Sequence, residues 1–486
     1  AFDGLRVATW NITNYSSGRV AAFRTAIYDS YQGRSMAPDV LICQELLSQS
    51  GVNNFLNILN GAAGSPGDWA AAPYINGNDT DNAFFYRTSK VTFLGVTTVV
   101  VGGGPPNPPR DVQRYDVRLV GYTADEATIA MYSSHMKAGT NSSDQDRRLL
   151  EAQMIRDDAE SLPSGWSFLL GGDFNIRDSS EAAYVELVGS QANNAGRFRD
   201  PIKTPGSWNN NFSFRFVHTQ DPSGAGGMDD RYDQILLSRD LTNGREMDYI
   251  GDATIPYSTT TWNDANHSYR AWGNDGSSYN TSLTISGNSM VGPTIAQALV
   301  DTTTAGHLPV FLDIRVPAEI SSETVLDFGQ VAVGSVAELT LNVSNAGDVA
   351  LWGANGIDDL DYSMTTTAGF TAPAGSFVAV AGAGANAHTV SMDTSTVGVL
   401  NGTLTIASDA VDEPVRLVTL TGEVVDNNCV GDIDNSGVVD LTDLAILLAN
   451  FDASPADPNQ GDLDGNNAVD LTDLAILLAN FDLTCP

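Results

Sequence analysis

The chain has 486 residues, 59 acidic and 24 basic, for a formal net charge of −35. That length exceeds one ordinary core and implies roughly three domains. Residues 317–486 carry 25 acids and a single base, Arg416. This excludes a polyanion-gripping role for the C-terminal half, because nucleic-acid affinity comes largely from neutralising phosphates.

The first segment, residues 1–316, holds 34 acids and 23 bases, 20 of them arginine, the side chain whose planar fork suits phosphate oxygens. Short apolar runs such as LRVATWNI, DVLICQEL, ATIAMYSSH, WSFLLGGDFN, YDQILLS and PVFLDIRV read as strands. RVAAFRTAIYDSY and SSDQDRRLLEAQMIRDDAESL read as amphipathic helices, the second opening on a serine cap. Several strands follow one another without a helix between them, so a layered α/β sandwich fits better than a regular βαβ array. VGGGPPNPPRDV is a loop. The long stretch TTTWNDANHSYRAWGNDGSSYN reads as a structural insertion rather than a substrate lid. Cys43, in an apolar run, reads as a buried free thiol.

Residues 318–425 change character to short alternating strands punctuated by Gly, Asn and Asp. That pattern is an all-β sandwich, similar to immunoglobulin-like modules, and its expected role is a spacer. Residues 426–486 contain VDLTDLAILLANFD twice, and a duplicated element implies a duplicated structural job. Each copy follows an aspartate-rich loop whose spacing suits calcium, with oxygens at positions 1, 3, 5, 7, 9 and 12. The first loop offers Asp432, Asp434, Ser436, the Val438 carbonyl, Asp440 and Asp443. The second offers Asp462, Asp464, Asn466, the Ala468 carbonyl, Asp470 and Asp473. Gly437 and Asn467 stand at the sharp turns, and Leu444, Leu447, Leu448 and Phe451, with their repeats Leu474, Leu477, Leu478 and Phe481, fall on one helical face. This tail resembles a type I dockerin, a small all-α unit with two EF-hand-like calcium loops. The resemblance implies two bound Ca2+ ions and a cohesin partner. A bridge between Cys429 and Cys485 would bracket the repeat, contribute on the order of 3–5 kcal/mol in chain-entropy terms, and imply an oxidising compartment.

Polar residues recur at the ends of the apolar runs in the first segment, where strands deliver them to one rim. They are Asn11, Glu45, His135 with Lys137 two residues on, Asp173, Asn175, Asp233 and His307. In order, TWN, QE, SSHMKAG, GGDFN, RYDQILLS and GHLPV resemble the endonuclease/exonuclease/phosphatase family, whose fold is the pancreatic-deoxyribonuclease-like four-layered α/β sandwich. The resemblance implies metal-dependent phosphoester cleavage. Glu45 would hold Mg2+ or Mn2+ with Asn11 beside it, Asp173 would orient or deprotonate the attacking water, and Asn175 would bond a phosphate oxygen. His135 and His307 would flank the phosphate, Asp233 would orient a histidine or reach the metal, and Arg110 and Lys137 would grasp substrate phosphate. The family motif carries an aspartate directly before the last histidine, where this chain has Gly306. The reading therefore expects His307 to lack its usual partner, with Asp301, Asp229 or Asp230 as substitutes.

Together these features describe a secreted or cell-surface, monomeric phosphoesterase without a transmembrane segment, tethered by its tail; the missing initial methionine, with Ala1 in first place, is read as processing. Its expected substrate is extracellular nucleic acid. A phospholipid, sphingomyelin or phosphomonoester substrate is the nearest alternative, and an inactive assembly protein working through its dockerin is the alternative from another class.

Overall fold

Leu5 and Val7 of β1 (Leu5–Tyr15) pack into one core, while Ala8, Trp10 and Ile12 pack into another, because successive strand side chains point to opposite faces. The same parity divides β2 (Val40–Leu46): Val40 and Ile42 face the first core, Leu41 and Cys43 the second. Helices α1 (Val20–Tyr28) and α2 (Gln49–Asn60) cover that second face with Phe23, Ile27 and Phe55. The computed structural model from which these relations come describes residues 4–224, 226–303, 306–426 and 429–484.

Ten further strands complete the first unit. They are β3 (Trp69–Ala71), β4 (Asp81–Arg87), β5 (Val91–Val100), β6 (Val112–Leu119), β7 (Thr128–His135), β8 (Ser167–Asp173), β9 (Asp233–Leu237), β10 (Asp248–Tyr249), β11 (Arg270–Ala271) and β12 (Val310–Arg315). One sheet runs β10-β12-β1-β2-β4-β3 with β11 on β12, and the other runs β5-β6-β7-β8-β9. Their inner faces meet through residues such as Ile42, Ile129, Met131, Leu169 and Leu312. Helices α3 (Ser142–Glu160) and α4 (Ala182–Val188) cover the outer face of the second sheet, and α5 (Gly292–Asp301) joins α1 and α2 on the first. The result is the expected four-layered α/β sandwich. α3 starts differently from the expectation: Asn141 is its N-cap residue, with no side-chain cap bond, and the serines lie inside the first turn. The aromatic insertion is structural, with Tyr269 and Trp272 buried and β11 paired on β12.

The strand register builds the site. Parallel β7 and β8 align His135 with Asp173, and antiparallel β9 aligns Asp173 with Asp233. Three polar residues thus stand side by side across neighbouring strands at one sheet edge. Gly172 makes the close pairing possible, since a Cβ there would strike the Ser134 carbonyl.

The second unit packs a four-stranded sheet, β13-β15-β19-β17, on a five-stranded one, β14-β21-β20-β16-β18. These strands are β13 (Ile320–Ser322), β14 (Val325–Ala332), β15 (Glu338–Asn345), β16 (Leu360–Thr366), β17 (Phe370–Thr371), β18 (Ser376–Ala379), β19 (Asn386–Met392), β20 (Gly398–Ser408) and β21 (Val415–Val425). A core of Leu341, Val343, Val390, Leu404, Ile406, Val418 and Leu420 separates the sheets. This unit does more than space. Trp352, on the short helix α6 (Val349–Trp352), is 1 % exposed and, with Ile357 and Ala381, joins the buried cluster that fills the space between the first unit's sheets. Its carbonyl accepts the Gly4 N–H at 2.6 Å, and the Lys90 ammonium lies 4.4 Å from its ring centre. Val316 and Asp358 exchange further bonds across the junction, with Val316 N donating to Gly356 O and Asp358 N to Val316 O, both at 2.8 Å. The Asp412 carboxylate caps the N–H groups of Thr123 and Ala124.

The duplicated tail forms two helices, α7 (Leu441–Ala449) and α8 (Leu471–Ala479), around Val439, Leu447, Val469 and Leu477. Leu444 and Phe451, with Leu474 and Phe481, pack at its margin, but Leu448 and Leu478 point outward and are 53 % exposed. The expected single apolar face is therefore narrower than its sequence pattern. Cys43 is a buried free thiol. Cys429 is disulfide-bonded, and the expected partner Cys485 lies outside the described residues.

Candidate active site

Asp173 closes β8, and its Oδ2 is the point on which the dispersed motifs converge. Asn11, from β1, donates through Nδ2 to Asp173 Oδ2 at 3.2 Å and to Glu45 Oε1 at 3.0 Å. His135 Nε2 lies 3.3 Å and His307 Nε2 3.5 Å from the same Asp173 oxygen. The other oxygen, Oδ1, accepts the Asn175 backbone N–H at 3.1 Å. Side chains separated by up to three hundred positions thus share one carboxylate, which itself is 2 % exposed.

Glu45 and Asn175 leave their strands with φ of 65° and 52°, the left-handed region that residues other than glycine rarely enter. Strain of this kind persists where the surroundings over-determine it, commonly at functional sites. Glu45 Oε2 accepts the Asn14 N–H at 2.8 Å, and Asn175 Nδ2 donates to the Met136 carbonyl at 3.2 Å.

His307 takes as its partner Asp233, the residue expected to orient a histidine, in place of Asp301, Asp229 or Asp230. Its Nδ1 lies 2.7 Å from Asp233 Oδ2, and Asp233 is fully buried. Asp301 instead accepts from Gln297, and Asp230 accepts from Asn209. Gly306 has no room for the side chain expected there: a Cβ would collide with the hydroxyls of Thr13 and Thr303, which bond each other at 3.1 Å. Asp233 thus fixes the ring from behind and turns Nε2 toward the cleft, the orienting job that a carboxylate does for a working imidazole.

Burial and neighbouring charge shift the two histidines that share this carboxylate in opposite directions. Burial disfavours the His307 cation, but Asp233 and Asp173 outweigh it and push its pKa up to about 10. Burial dominates at His135, and with Arg110 and His307 nearby it is pushed down to about 3 despite Asp173. His307 is therefore a proton holder and His135 a neutral Nε2–H donor. Environments that push two titratable groups apart are the usual way one site assigns separate proton roles.

The remaining candidates are less central. Arg110, on the proline-rich loop, approaches the His135 carbonyl at 3.5 Å and pairs with Asp79 at 3.2 Å. Lys137 turns away from the cluster toward Asp144, at 3.2 Å, at the start of α3. It does not join the convergence, because the chain leaves β7 at His135 and the α3 carboxylate captures its ammonium. Sequence reasoning missed Gln220, whose Nε2 lies 3.3 Å from His307 Nε2. No periodicity marks it, since it sits in an irregular segment.

The donor set fits a hard divalent cation. Glu45 and Asp173 are carboxylates joined through Asn11, and among the described residues neither forms an ion pair with lysine or arginine. Glu45 would hold the ion with Asn11, leaving room for the waters magnesium keeps. Such an ion supplies positive charge to phosphoryl oxygens. The chain's own groups provide the rest: Asp173 to orient a water, His307 Nε2–H to meet a phosphoryl oxygen, and His135 to hold Asp173 in place.

The tail carries two further clusters. Carboxylate oxygens of Asp432, Asp434 and Asp443 lie within 4.8 Å of one another, as do those of Asp462, Asp464 and Asp473. Asp443 and Asp473 are fully buried and accept loop N–H groups from Ile433 and Leu463 at 2.7 Å. Gly437 and Asn467 take the expected left-handed turns, with φ of 88° and 66°. Ser436 and Asn466 stay in the loops, bonded to the Val438 carbonyl and to Asp464. Asp440 and Asp470 cap the following helices through Thr442 N and Thr472 N at 2.6 Å, so their side chains serve the helix start.

No curated protein matches the chain. Among solved structures it is similar to the human Nocturnin catalytic domain with bound sulfate anion, at 13 % identity over 65 % of this chain and 95 % of that one, with a TM-score of 0.39. D. rerio TDP2 complexed with single strand DNA product shows 13 % identity over 64 % and 99 %, TM-score 0.36. The endonuclease/exonuclease/phosphatase from Beutenbergia cavernae DSM 12333 shows 14 % identity over 86 % and 100 %, TM-score 0.35. The family profile matches residues 8–251, half of the chain and the stretch that supplies every residue of the cluster except His307, so the chain belongs to the Endonuclease/Exonuclease/phosphatase family of metal-dependent phosphoester hydrolases.

Proposed function

We propose that the first unit is an extracellular phosphodiesterase acting on nucleic acid, with Mg2+ or Mn2+ held by Glu45 and Asn11. The observation that carries the reading is the meeting of Asn11, His135 and His307 on Asp173 Oδ2 within 3.5 Å. The substrate is a strand end or single strand rather than a gripped duplex. Several of the arginines that the sequence offered for phosphate are already paired inside the fold: Arg6 on Asp313, Arg87 on Asp39, Arg114 on Asp158, Arg148 on Glu181 and Arg231 on Asp200. Each one held this way is lost to displacing counterions along a duplex, so binding should depend less steeply on salt than the arginine count suggests.

The tail acts as a type I dockerin that binds two Ca2+ ions and seats the protein on a cohesin, with the immunoglobulin-like unit fixing the enzyme relative to that anchor. The chain works outside the cell or at its surface. The paired aspartate clusters and the repeated helices support this part.

A panel of single-stranded DNA, duplex DNA, RNA, sphingomyelin and p-nitrophenyl phosphate, incubated with the full chain and Mg2+ or Mn2+, tests the reading. Release from single strands, abolished by EDTA and restored by metal, supports it. Turnover of sphingomyelin alone would move the substrate to the lipid class, and inertness toward all five would remove the enzymatic reading.

A further inference from the structure

Among the described residues, Gln220 is the one polar side chain outside the motifs that lies within hydrogen-bond distance of an active-site imidazole nitrogen. The segment bearing it is wedged between the strand that delivers Asp233 and the residues that follow His307. Leu308 N donates to Thr219 O at 2.8 Å, Thr219 N to Asp230 O at 2.7 Å, and Asp229 N to Gln220 O at 3.0 Å. Thr219 Oγ1 also accepts the Asp233 N–H at 3.2 Å, and Asn274 Nδ2 donates to the His218 carbonyl at 2.7 Å. The backbone on both sides of Gln220 is therefore fixed by the same strands that fix His307.

Its side chain is not needed for that scaffold. Among the described residues the carboxamide has one recorded neighbour, His307 Nε2 at 3.3 Å from its own Nε2; with a proton on that ring nitrogen both atoms are donors, so the contact is an approach of two N–H groups and leaves both without an acceptor. Gln220 is also half-buried at the cleft, while Asp233 holds the opposite nitrogen of the ring at 2.7 Å. Two nitrogens 3.3 Å apart at the mouth of a site can both donate to one oxygen placed between them, each at an ordinary hydrogen-bond length of about 2.9 Å. The geometry points to Gln220 as a catalytic residue: together with His307 it forms a two-donor cradle for one non-bridging oxygen of the scissile phosphoryl group. The contact between the two nitrogens is the form the cradle takes before that oxygen arrives. Donors fixed in advance where charge develops cost no reorganisation during the reaction, which is why such pairs are effective.

This inference rests on the phosphoester reading of the site. Full-length wild type, Gln220→Leu, Gln220→Glu and Gln220→Asn are compared with bis(p-nitrophenyl) phosphate as substrate and inorganic phosphate as inhibitor, both with Mg2+. Leu and Glu remove the donor, so kcat should fall by about 10²-fold, the cost typical of one lost donor, while the melting temperature stays at the wild-type value. The phosphate inhibition constant should rise about tenfold in the same two variants, and Asn, which keeps a donor, should recover part of both losses. A wild type that cleaves the diester and binds phosphate, with Leu and Glu variants within about threefold of it, overturns the role of Gln220 and leaves the phosphoester reading standing. Losses that Asn does not ease at all overturn it too, as a purely spatial role predicts. A wild type that neither cleaves the diester nor binds phosphate overturns the site reading and the cradle together.

Discussion

Replacing Trp352 by alanine should destabilise the catalytic unit, although the residue belongs to the module that follows it. The indole is 1 % exposed in the buried cluster that continues from the catalytic sheets across the junction, so truncation removes a large apolar body and leaves a cavity there. Trp→Ala changes of this kind cost about 3–5 kcal/mol. The Lys90 ammonium over the ring, at 4.4 Å, loses its cation–π partner, and that contact is worth about 1 kcal/mol or more when desolvated. For a unit of this size such a loss corresponds to a fall in melting temperature on the order of 10 °C. Differential scanning calorimetry of the full chain reads it directly. Wild type should show the first two units melting together, and W352A should lower that joint transition. A W352A chain in which the catalytic unit melts unchanged would refute the reasoning, since the second unit would then be only a spacer.

Three other outcomes are expected. Asp233→Asn keeps the shape behind His307 but takes away the negative charge at 2.7 Å and lets an amide N–H face the ring, so kcat should fall by about 10³–10⁴-fold with little change in KM; a loss under about tenfold in initial-rate assays would show that the ring needs no carboxylate. Glu151, fully buried beneath Ser134, has its pKa raised by burial to about 7. The folded state then keeps a proton that the unfolded chain releases, so stability should fall as pH rises from about 4.5 to 7, by roughly 3 kcal/mol in all, and level off above. Glu151→Gln should lack that slope, and melting curves at pH 5 and pH 8 with an unchanged difference between the two proteins would contradict it. Ca2+ titrated into chelator-treated protein should bind at two sites by calorimetry; Asp443→Ala should remove one, and unaltered stoichiometry would count against the loops as ligands.

Much of this was legible because strands leave periodic signals and this site is built on strand ends. The apolar runs LRVATWNI and DVLICQEL marked strands, and the polar residues closing each run proved to be neighbours in space. The calcium-type loops were legible because their spacing is local. What stayed hidden was long-range. His307 and Asp233 are 74 residues apart and lie at the ends of strands in different sheets, so only the packing of one sheet on the other brings them together, and the sequence neighbour Gly306 looked like a loss when the carboxylate came from β9. Lys137 looked useful beside His135, yet a carboxylate on α3 captured it. Trp352 carries no mark of its destination, because burial against another unit looks the same in sequence as burial within its own. Gln220 lies in an irregular segment whose position is set wholly by tertiary hydrogen bonds.

The central claim is that the convergence on Asp173 is a phosphoryl-transfer centre. Its most direct test is the turnover of bis(p-nitrophenyl) phosphate by Asp173→Asn in the full chain with saturating Mn2+. The account predicts a fall in kcat of at least about 10³-fold at an unchanged melting temperature. Activity within about tenfold of wild type would contradict it.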